Sequence, residues 1–251
     1  MKENVQIKEG IKKGTIVFIH GSSSSSKAFS PIYESDIPYS LVTFDLYGHG
    51  KSDHNGKYLL SDLKNQIRSV VNEIDDEILL VGNSLGGHLV LEIANEITEL
   101  KGLLIFGAPP VRKPLNMDEA FLQTPELITF FTENPSEEEL DNSLSVAVQN
   151  IDVISQLKKD FQRSDPKFRA ATATLVNQFS DQLALLTNLK CKKFIIAGEQ
   201  DPSVNPIYLE ENRRKADYIL IKMNNCGHYP TLEQPDEFLI HLENIAQSSF
   251  S

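Results

Sequence analysis

Positive charge is scarce in this chain of 251 residues: 24 Lys and Arg stand against 35 Asp and Glu, a net charge of −11. Such a surface repels phosphate backbones and anionic headgroups, which argues against nucleic-acid binding and against a membrane surface. Cysteine is nearly absent. The two present, Cys191 and Cys226, form no metal-ligand pattern and suit a reducing cytoplasm, although a bridge between them stays open. No apolar run approaches the ~18–20 residues that cross a bilayer. The opening MKENVQIKEG has no apolar core of a secretory signal. There is no repeat of fixed period. A cytoplasmic globular protein is the expectation, with an ordinary 40% hydrophobic and 24% charged residues. The length suits one large domain or two small ones.

What the chain does have is alternation. Short Val/Ile/Leu/Phe runs predict strands at Thr15–His20, Leu41–Leu46, Glu77–Gly82, Gly102–Phe106, Lys193–Ala197 and Tyr218–Lys222. Near-continuous apolar runs of this length fit parallel strands buried on both faces. Val5–Lys8 reads as a weaker edge strand. Between the runs lie helical patterns. Leu60, Leu63, Ile67, Val70 and Ile74 make one apolar stripe, with Ser61 as its cap. A second helix follows Ser84, and a third runs from Pro235 to Ala246. This order predicts an α/β fold with a doubly wound, mostly parallel sheet. From residue 109 to 190 no strand is readable, only helical patterns punctuated by prolines. NPSEEELDNSL is a helix start, with Asn134 or Ser136 as cap and three glutamates opposing the dipole. The expected organisation is a core of residues 1–108 and 191–251 with a helical cap at 109–190.

One motif carries chemistry. Gly82-Asn83-Ser84-Leu85-Gly86 is a G-x-S-x-G between an apolar strand and an amphipathic helix. That is the context of a nucleophile elbow, in which a strained turn pushes the serine hydroxyl out at the sheet's C-terminal edge. A serine hydroxyl needs a base, and the base an orienting acid. Of six histidines, His228 follows the last strand and precedes the last helix, where it can reach Ser84. His20 and His49 read as loop-shaping, His88 as a satisfied buried group, His54 and His241 as surface. The acid is Asp201 or Glu199, both on the loop after a strand, with Asp201 preferred because it stands further out beside Pro202.

Together IHGSSSSS, FDLYGHGKSD, GNSLGGH, GEQDPSVNP and NCGHYPTLEQPDEF, in this order, resemble the α/β-hydrolase fold superfamily over nearly the whole chain. The resemblance implies a metal-free serine hydrolase that uses no cofactor, with the triad Ser84, Asp201 and His228. It implies an oxyanion hole made by the backbone amides of Ser22 and Leu85. It makes the serine run Ser22–Ser26 oxyanion-loop sequence rather than a spacer, with Ser23 to Ser26 satisfying backbone groups and capping the helix near Lys27. Haloalkane dehalogenases and epoxide hydrolases are excluded, since their nucleophile is aspartate. The opening hairpin usual in this fold is expected to shrink to one strand. Closer likeness, through HGSSSS, GHGKS, SLGGH and GLLIFGAPPV, is to N-acyl homoserine lactonases of this fold and to carboxylesterases. A small-molecule ester or lactone substrate is implied, touching Ser22, Asn83, Pro109 and Tyr229. Asn83 departs from the aromatic often found there in the lactonases. Some of Phe130, Phe131, Phe161, Phe168 and Phe179 are expected in the acyl pocket and the rest in the cap core. A carbon–carbon bond hydrolase with the same triad and a slow-turnover receptor are the alternatives. The assembly is expected to be a monomer or homodimer.

Overall fold

The structure, a computed structural model, describes residues 4–251. Seven strands form one sheet: β1 Val5–Lys8, β2 Thr15–Ile19, β3 Ser40–Phe44, β4 Ile78–Asn83, β5 Leu100–Phe106, β6 Lys192–Gly198 and β7 Ile219–Met223. Their order across the sheet is β1-β3-β2-β4-β5-β6-β7. All pairs are parallel except β1–β3, where Val5 faces Phe44 and Lys8 faces Leu41. Among the described residues, β1 is the only strand before β2, as the short N-terminal region predicts.

The core helices are α1 Ser30–Glu34, α2 Leu60–Val71 and α3 Leu85–Ile93. Between β5 and β6 lie α4 Met117–Ala120, α5 Glu137–Ala147, α6 Ile154–Arg163, α7 Pro166–Asn177 and α8 Gln182–Asn188. The chain closes with α9 Pro206–Ala216, α10 Pro230–Glu233 and α11 Pro235–Ser249. No described helix is long and apolar enough to cross a membrane.

Strand alternation splits the core into two layers. Val17, Ile19, Leu80, Leu103 and Ile105 face Leu63, Ile67 and Leu89 of α2 and α3. Ile16, Phe18, Leu79, Leu104 and Phe106 face Ile32 of α1 and Phe238 and Leu242 of α11. Both layers are buried, which explains why the strand sequences read as unbroken apolar runs. One local expectation is corrected, one helix was missed and one open question is settled. Helix α2 starts one residue before Ser61, with Leu59 at the cap position and no side-chain cap bond. Helix α9 was not legible: it is largely exposed and charged, burying only Tyr208, Leu209 and Ala216. Its signal was the Asn205 cap followed by Pro206. Cys191 and Cys226 are free thiols, not a bridge.

The segment between β5 and β6 is helical, with one isolated bridge, Phe121 to Val204, as its only extended pairing. Ser136 opens α5 with a reciprocal capping box to Glu139, choosing between the two expected caps. Buried Arg169 ties this segment together. Its guanidinium donates to the carbonyls of Thr132, Glu133, Phe161 and Ser164 and lies 4.2 Å over the Phe161 ring. The segment docks on the core through Asp165, whose amide donates to the Gly48 carbonyl at 2.7 Å and whose carboxylate accepts from the Tyr58 hydroxyl at 2.6 Å.

Helix α3 lies close against β4 and β2. A Cβ on Gly82 would sit 2.5 Å from the Gly87 Cα, and one on Gly86 would collide with the Ile19 carbonyl. Gly86→Ala is therefore expected to cost about 1–3 kcal/mol by forcing α3 off the sheet. A lower urea midpoint checks this, and an unchanged midpoint contradicts the packing described.

Candidate active site

Ser84 stands between β4 and α3 with no loop around it. Its φ is +51° and its ψ −122°, a strained backbone for a residue with a Cβ, costing about 1–3 kcal/mol. The turn is held by the Ser84 amide donating to the Phe106 carbonyl at 2.8 Å and by the Gly87 amide donating to the Ser84 carbonyl at 2.9 Å. The side chain is half-buried and opens into a cavity of about 670 Å³ that Ser22, Leu85 and His228 also line.

His228 is placed by Asp201. Asp201 Oδ2 lies 2.9 Å from His228 Nδ1, so the ring donates from Nδ1 and keeps Nε2 as its acceptor nitrogen. Burial pushes the imidazole pKa down, but the adjacent Asp201 carboxylate outweighs it and leaves the value above the ordinary one. Burial likewise raises Asp201, and His228 and Ser203 more than offset that, so the carboxylate ends below its usual range. Glu199, the other candidate acid, is exposed and its side chain makes no bond to His228. Ser203 escaped sequence reasoning. Its hydroxyl donates to Asp201 Oδ1 at 2.6 Å and its amide to the same oxygen at 2.8 Å. The Asp-Pro-Ser spacing was the available signal, a side chain closing a turn on an amide two residues on.

Glu233 was also missed. Its carboxylate accepts from the amides of Gly227 and Tyr229, on either side of His228, each at 2.9 Å, and from Gln149 of the helical segment at 2.7 Å. The His228 amide itself donates to the Ala147 carbonyl at 2.9 Å. The histidine loop is thus fixed by its backbone, from core and helical segment together.

The serine run is fixed in the same way. The Ser23 amide donates to His49 Nε2 at 3.0 Å, and the Ser26 amide to Asp45 Oδ1 at 2.7 Å. The ring of His49 lies 5.0 Å from that of His20, whose Nε2 accepts from the Leu46 amide at 2.9 Å. Both imidazoles shape loops, as expected, and FDLYGHGKSD is the brace of the serine run. Ser25 Oγ caps the short helix through the Lys27 amide at 3.2 Å. The Ser23 and Ser24 hydroxyls are buried without a partner, so the expectation that each serine side chain satisfies a backbone group is corrected. The amides of Ser22 and Leu85 donate to no other described residue, which leaves two N–H groups at the cavity beside Ser84.

The remaining expected residues divide. Tyr229 lines the cavity. Asn83 and Pro109 are buried and do not: the Asn83 amide donates to the His228 carbonyl at 3.3 Å instead. Phe130 and Phe131 line the cavity, whereas Phe161, Phe168 and Phe179 are buried in the packed clusters. His54 is exposed and His241 half-buried. His88 is buried, but it also lines the cavity. A second hollow of about 480 Å³, lined by Asp53, Tyr58, Asp62 and Gln66, holds none of the expected residues.

The sequence model of the alpha/beta hydrolase family matches residues 16–240. A pimeloyl-[acyl-carrier protein] methyl ester esterase of Nitrosomonas europaea is 25% identical over 243 residues, covering 89% of this chain and 92% of that protein. A 2-hydroxy-6-oxononadienedioate/2-hydroxy-6-oxononatrienedioate hydrolase of Pseudomonas putida is 25% identical over 254 residues, covering 91% and 86%. The solved structure of N-acyl homoserine lactonase AidH complexed with N-butanoyl homoserine superposes with a TM-score of 0.83 at 24% identity, over 96% of this chain and 90% of that one.

The site's imidazoles set a pH dependence. Burial holds His20, His49 and His88 below their ordinary pKa, and only His228 above it. Below about pH 6.5 the unfolded chain takes up protons that the three buried rings refuse. Their contribution is present above that pH and is lost as pH falls toward their folded values; His228 opposes with the reverse sign. The thermal midpoint is expected to fall between pH 7 and pH 5 in a calorimetric scan. A flat or rising midpoint contradicts these assignments.

Proposed function

The chain belongs to the alpha/beta hydrolase family, and from that premise we propose that it cleaves carboxylic esters or lactones through an acyl-enzyme on Ser84. The observation that carries this reading is the 2.9 Å contact of Asp201 with His228 on the cavity that Ser84 lines. His228 Nε2 takes the Ser84 proton as the hydroxyl attacks the carbonyl carbon. The amides of Ser22 and Leu85 hold the oxyanion that forms, two donors fixed before reaction. His228 returns the proton to the leaving alcohol oxygen. It then deprotonates the water that releases the acid. Asp201 keeps the ring in the Nδ1–H tautomer and stabilises its charged form.

Residues 109–190 serve as the cap. Met117, Phe121, Leu127, Phe130 and Val176 from this segment give the cavity an apolar wall suited to an acyl chain. Among the described residues, no Lys or Arg lines the cavity. A dianionic substrate such as the dioate of the Pseudomonas putida relative would be buried without a cation, which favours an uncharged ester or lactone over carbon–carbon cleavage of a dioate. An N-acyl homoserine lactone fits this description: neutral, with an acyl tail. The two free thiols fit a cytoplasmic location.

The purified protein is expected to hydrolyse short-chain nitrophenyl esters and to open N-acyl homoserine lactones with release of acid. Ser84→Ala removes about 10³-fold or more of kcat, and Asp201→Asn about 10²–10⁴-fold, with Glu199→Gln near wild type. Because the base must be neutral, kcat/KM rises with pH through a value above the ordinary histidine range, and Asp201→Asn lowers that value. Full activity of Ser84→Ala ends the proposal. A greater loss in Glu199→Gln than in Asp201→Asn moves the acid. Ester turnover with no lactone opened at any chain length removes the lactone reading, and a persistent adduct without turnover marks a binding protein.

A further inference from the structure

His88 has no part in the chemistry above, yet it lines the cavity that holds Ser84 and His228. It stands one turn along α3, and its amide donates to the Ser84 carbonyl at 3.2 Å. Its ring stacks on Phe179 with centroids 5.1 Å apart. Behind it, Glu92 accepts from the Ser180 amide at 2.8 Å and from the Ser180 hydroxyl at 2.9 Å. Gln182 Nε2 lies 3.0 Å from Glu92 Oε1 and 3.3 Å from the His88 carbonyl. A carboxylate oxygen and a carbonyl only accept, so the Gln182 atom facing both must be the NH₂ group. Gln182 Oε1 therefore faces the other way, 2.8 Å from His88 Nδ1.

A carbonyl oxygen cannot donate, so His88 Nδ1 carries the hydrogen. Burial pushes this imidazole down to about 4, so near neutral pH it holds a single proton. Nε2 is then a bare lone pair. It bonds to no described residue, and it is not among the polar atoms sealed from solvent without a partner. The cavity is where it meets solvent.

We propose that His88 Nε2 is a specificity-determining acceptor, selecting esters or lactones that carry a hydrogen-bond donor, an amide N–H above all, a few bonds from the scissile carbonyl. This rests on the hydrolase reading for its chemistry, and the helix sets the distance. Four residues of α3 rise about 6 Å, close enough for one small substrate to meet Ser84 with its carbonyl and His88 with a donor a few bonds away. A ligand without the donor displaces solvent from Nε2 and leaves it unpaired, and loses affinity for that reason. Gln182 and Glu92 are positioning residues that act through the tautomer.

The test compares two ligands by calorimetric binding to Ser84→Ala, which does not turn them over. One is N-hexanoyl homoserine lactone, the other α-hexanoyloxy-γ-butyrolactone, in which oxygen replaces the N–H. The amide is expected to bind about tenfold tighter or better. Adding His88→Phe, which keeps the stacked ring, brings the two within about twofold. Adding Gln182→Met, which frees Nδ1, reduces the preference at least about threefold. Equal binding of the pair, or a full preference in either added variant, overturns the proposal. If His88→Phe fails to fold, the Ser84→Ala pair and Gln182→Met decide it. Nitrophenyl ester hydrolysis by the wild type reports separately on the hydrolase reading, so its absence sinks that reading and leaves the binding comparison intact.

Discussion

At Ser84 a buried strand passes into a buried helix without a loop. Every other part of the site is placed relative to that turn. The residue pays for its position with a φ of +51°, and the surroundings hold it there. Gly82 and Gly86 let α3 lie against β4 and β2 at distances that no side chain permits. The helix N-terminus then faces the cavity, so the Leu85 amide is offered where Ser84 emerges. Loosening the turn would displace the hydroxyl, the amide and His88 together.

The two loops flanking Ser84 are held differently from the core. Buried polar side chains fix their backbones. Asp45 and His49 hold the serine run, and Glu233 holds the histidine loop on both sides of His228. Each of these groups is an acceptor for amides that would otherwise be orphaned in the interior. The helical segment joins the same scheme through the Ala147 carbonyl and the Gln149 amide. On the proposed reading, cap and catalytic loop are therefore one mechanical unit. A substrate-dependent movement of the cap would pull on His228.

The sheet was legible because buried parallel strands have a distinctive composition. Six apolar runs gave six strands, each to within a few residues, and the weak run at Val5–Lys8 lies at the edge as expected. The elbow was legible because a strained turn between strand and helix demands glycine on both sides. Other features left little trace. Helix α9 hides because an exposed, charged helix has no apolar stripe. Phe130 and Phe131 cannot be told from Phe161 and Phe168 by composition, since a cavity wall and a packed interior want the same side chains. Asn83 and Pro109 sit in the right motifs but do not line the cavity, a matter of local geometry that spacing does not carry. His88 was read as a satisfied buried group; one nitrogen is satisfied and the other is not. Long-range partners such as Gln182 decide that, and they lie 94 residues away.

On the proposed reading, one serine among many is made nucleophilic by its place in the fold. Five further serines, Ser22 to Ser26, follow the neighbouring strand β2. An alkyl fluorophosphonate, which phosphonylates activated serines, discriminates between them directly. Intact mass followed by peptide mapping is expected to give one adduct per chain, on Ser84, at stoichiometric yield. No adduct, or an adduct on the serine run with Ser84 unmodified, would contradict the account.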